Sequence, residues 1–320
     1  MLGIGIDIGG TNTKVVVVDS KGKLVAQDRF RTEPERGAAD FVRRLSKMVK
    51  GFRKQFGKDL VSVGIGCAGD VDPARGKVRY SANLGWHGVD LVGPLKRLTG
   101  LPCFMENDAN MAAWGAYELE LKRRKCNAIA ITLGTGIGSG LILDGELFHG
   151  ATGSAGEAGH IKVELDGRRC NCGGLGCLEA YCGSYAIMAR ARELIKDTDA
   201  YTRRYGDPAR LRFNTICLTR AAAAGDKAAR RLWAETGDYL GRGLASLVLV
   251  LNPDYVVLTG GVSKAKKWFM PALKKVLAAQ QFETPFRTVK VVVSDNADLG
   301  SPGSALFGLA MAAKKRKCGI

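Results

Sequence analysis

The sequence predicts an α/β protein with a duplicated core. A strand, a glycine turn and a returning strand open the chain, and the same pattern recurs 125 positions later. Further strand-length apolar runs alternate with segments of helical periodicity. Two such hairpins in one chain imply two lobes, each offering a glycine turn to the same polyphosphate.

In the first hairpin, isoleucine-rich Gly3 to Ile8 leads through Asp7-Ile8-Gly9-Gly10-Thr11-Asn12-Thr13-Lys14 into Val15-Val16-Val17-Val18-Asp19. Gly9 and Gly10 let backbone N–H groups approach an anion, while Thr11 and Lys14 supply a hydroxyl and a positive charge. Asp7 ends the first strand, where a magnesium ion on the phosphates would sit. Taken alone, the residues also suit a plain hairpin. The second copy runs from Ile129-Ala130-Ile131-Thr132-Leu133 through Gly134-Thr135-Gly136-Ile137-Gly138-Ser139-Gly140 to Leu141-Ile142-Leu143-Asp144. Gly9 aligns with Gly134 and Asp19 with Asp144, but Thr132 stands where Asp7 stood, so only the first copy brings the metal-side acid.

Between the hairpins, Phe41 to Phe56 has helical spacing and Leu60 to Ile65 reads as a buried strand. That strand ends in Gly64-Ile65-Gly66-Cys67-Ala68-Gly69-Asp70-Val71-Asp72-Pro73, a loop where a sugar could meet backbone. Asn83-Leu84-Gly85-Trp86 sets an amide beside an aromatic, which suits carbohydrate or simple packing. A strand over Leu101 to Met105 precedes Glu106-Asn107-Asp108-Ala109-Asn110 and an alanine-rich helix, Met111 to Lys122. Asn107 and Asp108 are natural helix caps. Asp108 at the carboxyl end of a strand also suits a general base, and one carboxylate can serve both purposes.

The stretch from Gly156 to Ala180 brings three thiols and an imidazole together as His160, Cys170, Cys172 and Cys177. Four such ligands suit one tetrahedral zinc, closed to substrate and therefore structural. Reduced cysteines in a glycine-rich loop are the alternative. Two acids, Glu157 and Glu179, flank the cluster, and a metal there would fix where they point. Downstream, Ser184 to Leu194 and Thr219 to Trp233 read as helices separated by a basic surface excursion, Lys196 to Arg212. A long striped helix over Ala228 to Leu251 stops at Asn252-Pro253-Asp254. The strand Tyr255 to Thr259 ends in Gly260-Gly261, a pair on which a nucleotide's adenosine could lie. Val289 to Val293 is a further strand, and Ser304 to Ala313 a small-residue helix.

With 320 residues, 46% of them hydrophobic, the chain is large enough for two domains, and no apolar run reaches the length of a bilayer span. The expectation is a soluble, cytoplasmic protein without a signal peptide, its thiols reduced. Cys67, Cys103, Cys126, Cys182, Cys217 and Cys318 are scattered and read as buried or incidental. The formal charge of +17 invites a nucleic-acid reading, with Lys122-Arg123-Arg124-Lys125 and Lys314-Lys315-Arg316-Lys317 as its evidence. There is no helix-turn-helix before the first strand, no RNA-binding aromatic signature and no paired Cys-His finger spacing. The charge reads as a solvated surface that attracts phosphates.

Together, Asp7-x-Gly9-Gly10-Thr11, Gly64-x-Gly66, Glu106 to Asn110, the Gly134 to Gly138 turn, Glu157-x-Gly159-His160, the Cys170 to Glu179 cluster and Gly260-Gly261 resemble the ROK family of sugar kinases, within the actin and hexokinase superfamily. The resemblance implies a two-lobed actin-like ATPase (ribonuclease H-like) fold with an interlobe cleft. One lobe spans 1–118, joined by a C-terminal helix 302–320, and a larger lobe spans 119–301 with the zinc loop. It implies phosphoryl transfer from ATP, with Mg2+, to a hexose, D-glucose becoming glucose 6-phosphate. Asp108 is then the catalytic base, and Gly66, Asn83, Asn107, Asp108, Glu157, His160 and Glu179 contact the sugar. Asp7, Gly9, Gly10, Thr11, Lys14, Gly134, Thr135, Gly136, Gly138, Gly260 and Gly261 hold the nucleotide. His160, Cys170, Cys172 and Cys177 hold structural Zn2+, leaving the second nitrogen of His160 for a sugar hydroxyl. A homodimer or higher homo-oligomer is expected, with neither nucleic acid nor membrane as partner. Fructose, mannose, N-acetylglucosamine and N-acetylmannosamine remain alternative substrates, and polyphosphate an alternative donor. Sugar-responsive repressors of the family carry an N-terminal DNA-binding segment, for which a first acid at the seventh residue, Asp7, is expected to leave no room. One departure is visible: Ala68 stands where the family usually has Pro.

Overall fold

The alternation of isoleucine and glycine in the opening strand determines what covers each side of the first sheet. In the computed structural model, which describes residues 1–209 and 211–317, β1 (Leu2–Ile8) pairs antiparallel with β2 (Asn12–Asp19), and β2 with β3 (Leu24–Arg31). Helix α1 (Ala38–Phe56) follows, then β4 (Leu60–Cys67). Ile4, Ile6 and Ile8 of β1 and Val63, Ile65 and Cys67 of β4 join Phe41, Leu45 and Val49 of α1 in one buried cluster. The glycines between them point the other way, because side chains alternate across a strand.

A small meander of β5 (Asp70–Asp72), β6 (Lys77–Ser81) and β7 (Trp86–Asp90) precedes α2 (Val92–Thr99), β8 (Cys103–Asn107) and α3 (Asp108–Leu119). β4 is parallel to β1 and to β8, giving the order β3-β2-β1-β4-β8. Next come β9 (Ala128–Leu133), β10 (Ile137–Leu143) and β11 (Glu146–Leu147), then the short α4 (Glu179–Cys182), α5 (Ser184–Leu194), α6 (Thr198–Tyr205), α7 (Thr215–Ala223) and α8 (Lys227–Leu251). β12 (Tyr255–Thr259), α9 (Lys266–Ala278), α10 (Thr284–Thr288), β13 (Lys290–Val293) and α11 (Gly300–Lys317) complete the described chain. The second sheet has the order β11-β10-β9-β12-β13. Its third, second, first, fourth and fifth strands lie in the same sequence as those of the first sheet, which is the expected duplication expressed as topology.

The chain divides into two compact units. One comprises Met1–Ala130, Ser139–Gly156 and the residues from Asp298 on; the other comprises Ile131–Gly138 and Glu157–Ala297. Within the first, α11 lies on the glycine side of β1 and β4 and against α3. A Cβ on Gly64 would fall 1.8 Å from the backbone oxygen of Ser304, so helix and sheet approach closer than any side chain permits. Gly115 of α3 and Gly303 of α11 form a second close approach, since a Cβ on Gly303 would lie 2.0 Å from the oxygen of Met111.

Several expectations need correction. Gly64 to Cys67 is strand, not loop, because both neighbours of β4 continue to pair there. The helix expected over Thr219 to Trp233 is two helices: Gly225 adopts φ 95°, and Asp226 caps α8 by accepting the N–H of Ala229. The basic excursion contains α6, capped by Asp197. Trp86 packs in the core, edge-on to Phe41 with centroids 5.2 Å apart, which favours the packing alternative over a carbohydrate platform. Cys67, Cys103, Cys126, Cys182 and Cys217 are buried, whereas Cys318 lies outside the described residues. Among the described residues no helix is long and apolar enough to cross a membrane.

Candidate active site

Each unit carries a glycine turn with acidic residues close to it. In the first unit the turn between β1 and β2 is closed by Gly9, whose N–H donates to the oxygen of Asn12 at 3.1 Å. Two buried threonines brace it from beneath: Thr13 and Thr32 share a hydroxyl–hydroxyl bond of 3.0 Å, and the Thr32 hydroxyl donates to the Gly9 oxygen at 2.6 Å. Thr11 is exposed at the tip. Asn83 lies against Gly10, its backbone oxygen 3.1 Å from where a Cβ would project.

Asp7 stands one residue from the end of β1, in register with Lys14 on one side and Gly66 on the other. Burial pushes its carboxyl up to about 7; the charges of Asp108 and Asp298 add to the rise, and Lys14 opposes it. Asp108 opens α3. Asn107 is the cap, accepting the N–H of Asn110 at 2.9 Å, while Asp108 accepts the N–H of Ala109 at 3.0 Å. Although Asp108 keeps some exposure to solvent, desolvation raises its carboxyl above the ordinary range. Lys14 pairs with Asp298, which also accepts the backbone N–H of Ser301 at 3.1 Å and so caps α11. Asp7 therefore feels two further carboxylates and one ammonium, and the acids form an oxygen-rich donor set with the hardness that magnesium prefers. Asp298 was absent from the sequence-based site; its only signal is Asp-x-x-Ser at the start of a small-residue helix.

Glu106, only 2% exposed, accepts the side-chain amide of Asn110 at 3.2 Å through one oxygen and lies 2.7 Å from Nε2 of His149 through the other. That bond raises the His149 imidazole above its usual value. The pair is a second feature that sequence reasoning missed, because its members are 43 positions apart.

In the second unit Gly134 closes its turn by donating to the Gly136 oxygen at 3.0 Å, and the oxygens of Gly134 and Thr135 accept N–H groups at the start of α5. Gly138 lies in β10. Gly260, at φ 97°, is pressed against β9: a Cβ there would meet the Leu133 oxygen at 2.5 Å, whereas Gly261 faces open space. Glu179 sits beneath the turn, with Oε2 accepting the N–H of Ile137 at 2.9 Å and Oε1 3.5 Å from the sulfur of Cys170.

The ligand atoms of His160, Cys170, Cys172 and Cys177 all lie within 4.8 Å of one another. Zinc–sulfur bonds near 2.3 Å put the sulfurs of a tetrahedral site about 3.8 Å apart. The Cys172 and Cys177 sulfurs are separated by 3.8 Å, and the Cys170 sulfur lies 3.9 Å from Nδ1 of His160. The donor set and its spacing fit the metal. Nε2 of His160 turns the other way, 4.0 Å from Glu157. Lys162, unremarked in the sequence, donates to the Cys177 sulfur at 3.1 Å, a contact suited to a thiolate.

The ROK family profile matches residues 3–315. The chain is 34% identical over 306 residues to the glucokinase of Thermotoga maritima, covering 94% of this chain and 95% of that one. It superposes on the structure of a ROK family glucokinase from Streptomyces griseus in complex with glucose and AMPPNP, with a TM-score of 0.81 at 31% identity, covering 97% of this chain and 100% of that one. The ROK hexokinase of Thermus thermophilus gives a TM-score of 0.80 at 29% identity, covering 98% and 100%.

Proposed function

The chain belongs to the ROK family and has its two-lobed actin-like ATPase fold, and from that premise we propose that it is a sugar kinase transferring the γ-phosphoryl group of ATP to the 6-hydroxyl of D-glucose. The observation that carries this reading is Asp108, a carboxylate at the strand–helix junction whose basicity burial increases. A base with a raised pKa takes up the sugar hydroxyl's proton more readily as the oxygen attacks phosphorus. Asn107, Glu157, His160 and Glu179, with Asn83 and the backbone at Gly66, orient the hexose. Gly9, Gly10 and Thr11 from one turn, and Gly134, Thr135, Gly136 and Gly138 from the other, take the phosphates. Gly260 and Gly261 take the adenosine.

Positioning and electrostatics do most of the work in phosphoryl transfer. Lys14 places a positive charge beside Asp7, and Asp298 holds that ammonium in place. Asp7 is the residue to hold magnesium, which when bound neutralises charge on the phosphates. His160, Cys170, Cys172 and Cys177 are the residues to hold zinc, which would cross-link the loop and fix the direction of Glu157 and Glu179. The test is a panel of hexoses and amino sugars crossed with ATP, GTP, ADP and polyphosphate, read as sugar phosphate formed. Glucose 6-phosphate from ATP and glucose is expected to exceed every other product; absence of any sugar phosphate would refute the reading.

A further inference from the structure

A cavity of the first unit lies away from the glycine turn, and nothing in the proposed reaction uses it. It encloses about 640 Å3 along the free edge of β8, between the β5–β6 hairpin, α2 and α11. Phe104, Val92 and Met311 form apolar walls, and buried Glu106 with its half-exposed partner His149 reaches it from one end. Three cations stand around it: Arg75, Lys96 and Lys315, the last with its ammonium 5.4 Å above the Phe104 ring. Among the described residues none of the three has a carboxylate within ion-pair distance, although the lining also includes Asp72, which accepts the backbone N–H of Arg75 at 3.0 Å. A fourth cation, Arg79, is already engaged by Asp70 at 2.6 Å.

Unpaired cations beside an apolar hollow of this size match an anion that carries a body to bury. We propose that the cavity is a second ligand site, for a phosphomonoester with a planar or apolar body of about the size of a nucleoside monophosphate. Arg75, Lys96 and Lys315 hold the phosphate, the Phe104 and Met311 side chains cover the body, and the Glu106–His149 pair orients a polar edge. The cavity also reaches the chemistry by a short route. Glu106 precedes Asp108 by two residues and shares its carboxylate with Asn110 of α3, so a ligand that draws His149 away alters the setting of the β8–α3 junction. That coupling rests on the role proposed for Asp108; the binding itself does not.

Calorimetric titration of the full chain with UMP and with AMP tests the assignment. Binding of one equivalent is expected in the presence of saturating glucose and AMPPNP as well as in their absence. The Arg75→Gln/Lys96→Gln double variant should weaken it at least tenfold, with the Tm preserved because both side chains are exposed. The proposal is overturned if neither nucleotide binds, if AMPPNP displaces both, or if the double variant binds as the parent does. Inorganic phosphate binding as tightly as the nucleotides would also overturn it, since the apolar walls would then contribute nothing. Failure of the kinase reading would appear separately, as no glucose 6-phosphate from a chain that still binds UMP.

Discussion

Replacing Gly136 with alanine tests where Glu179 points. The added Cβ would lie 2.1 Å from Oε2 of Glu179 and 2.9 Å from its carboxyl carbon, whereas real Cβ contacts essentially never fall below 3.0 Å. Because the turn is anchored by backbone bonds to the start of α5, the carboxylate must give way by roughly an ångström. It then loses the 2.9 Å bond from the Ile137 N–H. A hydrogen bond to a charged group contributes about 1.5–3 kcal/mol, so Gly136→Ala is expected to be less stable by about that amount. If Glu179 also receives a sugar hydroxyl, a misplaced carboxylate loses a second bond of the same kind, which corresponds to a KM for glucose about 10- to 150-fold higher. Steady-state kinetics at saturating ATP, run beside Glu179→Gln and with Tm measured for each, separates the two effects. A Gly136→Ala enzyme that holds glucose within twofold of the parent would refute the reasoning.

Other outcomes are equally specific. Asp108→Asn should lower turnover by about 10²- to 10⁴-fold while glucose affinity changes little; near-normal turnover removes Asp108 as the base. Carefully purified protein should contain about one zinc per chain, and chelation or Cys177→Ser should lower the Tm; no zinc and an unchanged Tm would contradict the cluster's assignment. Burial pushes the Asp7 carboxyl up to about 7 in the folded chain, from the 3.8 of a carboxyl free of the fold. The native state therefore keeps a proton that the unfolded chain releases first, and this group's stabilisation is full below about pH 4 and lost as pH rises through 7. Without nucleotide, Asp7→Asn should flatten the fall in Tm between pH 4 and 7 and raise the Tm at pH 8, while abolishing turnover; a Tm profile parallel to the parent's would count against the shift.

Much of the framework was legible because its signals are local. The paired glycine hairpins, the Tyr255 to Thr259 strand and the helix from Ser184 announce themselves through apolar runs and their flanking turns, and the thiol cluster through spacing. What escaped notice depends on partners distant in sequence. Strand β3 is an edge strand with most side chains exposed, so it lacks the alternation that marks a half-buried strand. The Gly64-Ile65-Gly66 stretch looked like a loop because glycines are turn signals, yet here Gly64 admits a helix backbone from near the other end of the chain. Asp298 beside Lys14, and His149 beside Glu106, are pairings that only tertiary folding creates. Glu157 and Glu179 were singled out for their nearness to the cysteines, but nothing in the spacing revealed that Glu179 reaches beneath the second glycine turn.

The seating of α11 on β1, β4 and α3 has a consequence for biosynthesis. Trp114 of α3 stacks edge-on against Phe307 with centroids 5.6 Å apart, and β1 and β4 leave the ribosome with a glycine-lined face that waits for a helix translated long afterwards. At about 5–20 residues per second, that interval lasts on the order of ten seconds or more, during which the nascent first unit presents an uncovered apolar surface. Ribosome-bound chains halted before Gly300 should accordingly bind general chaperones more strongly than chains released in full.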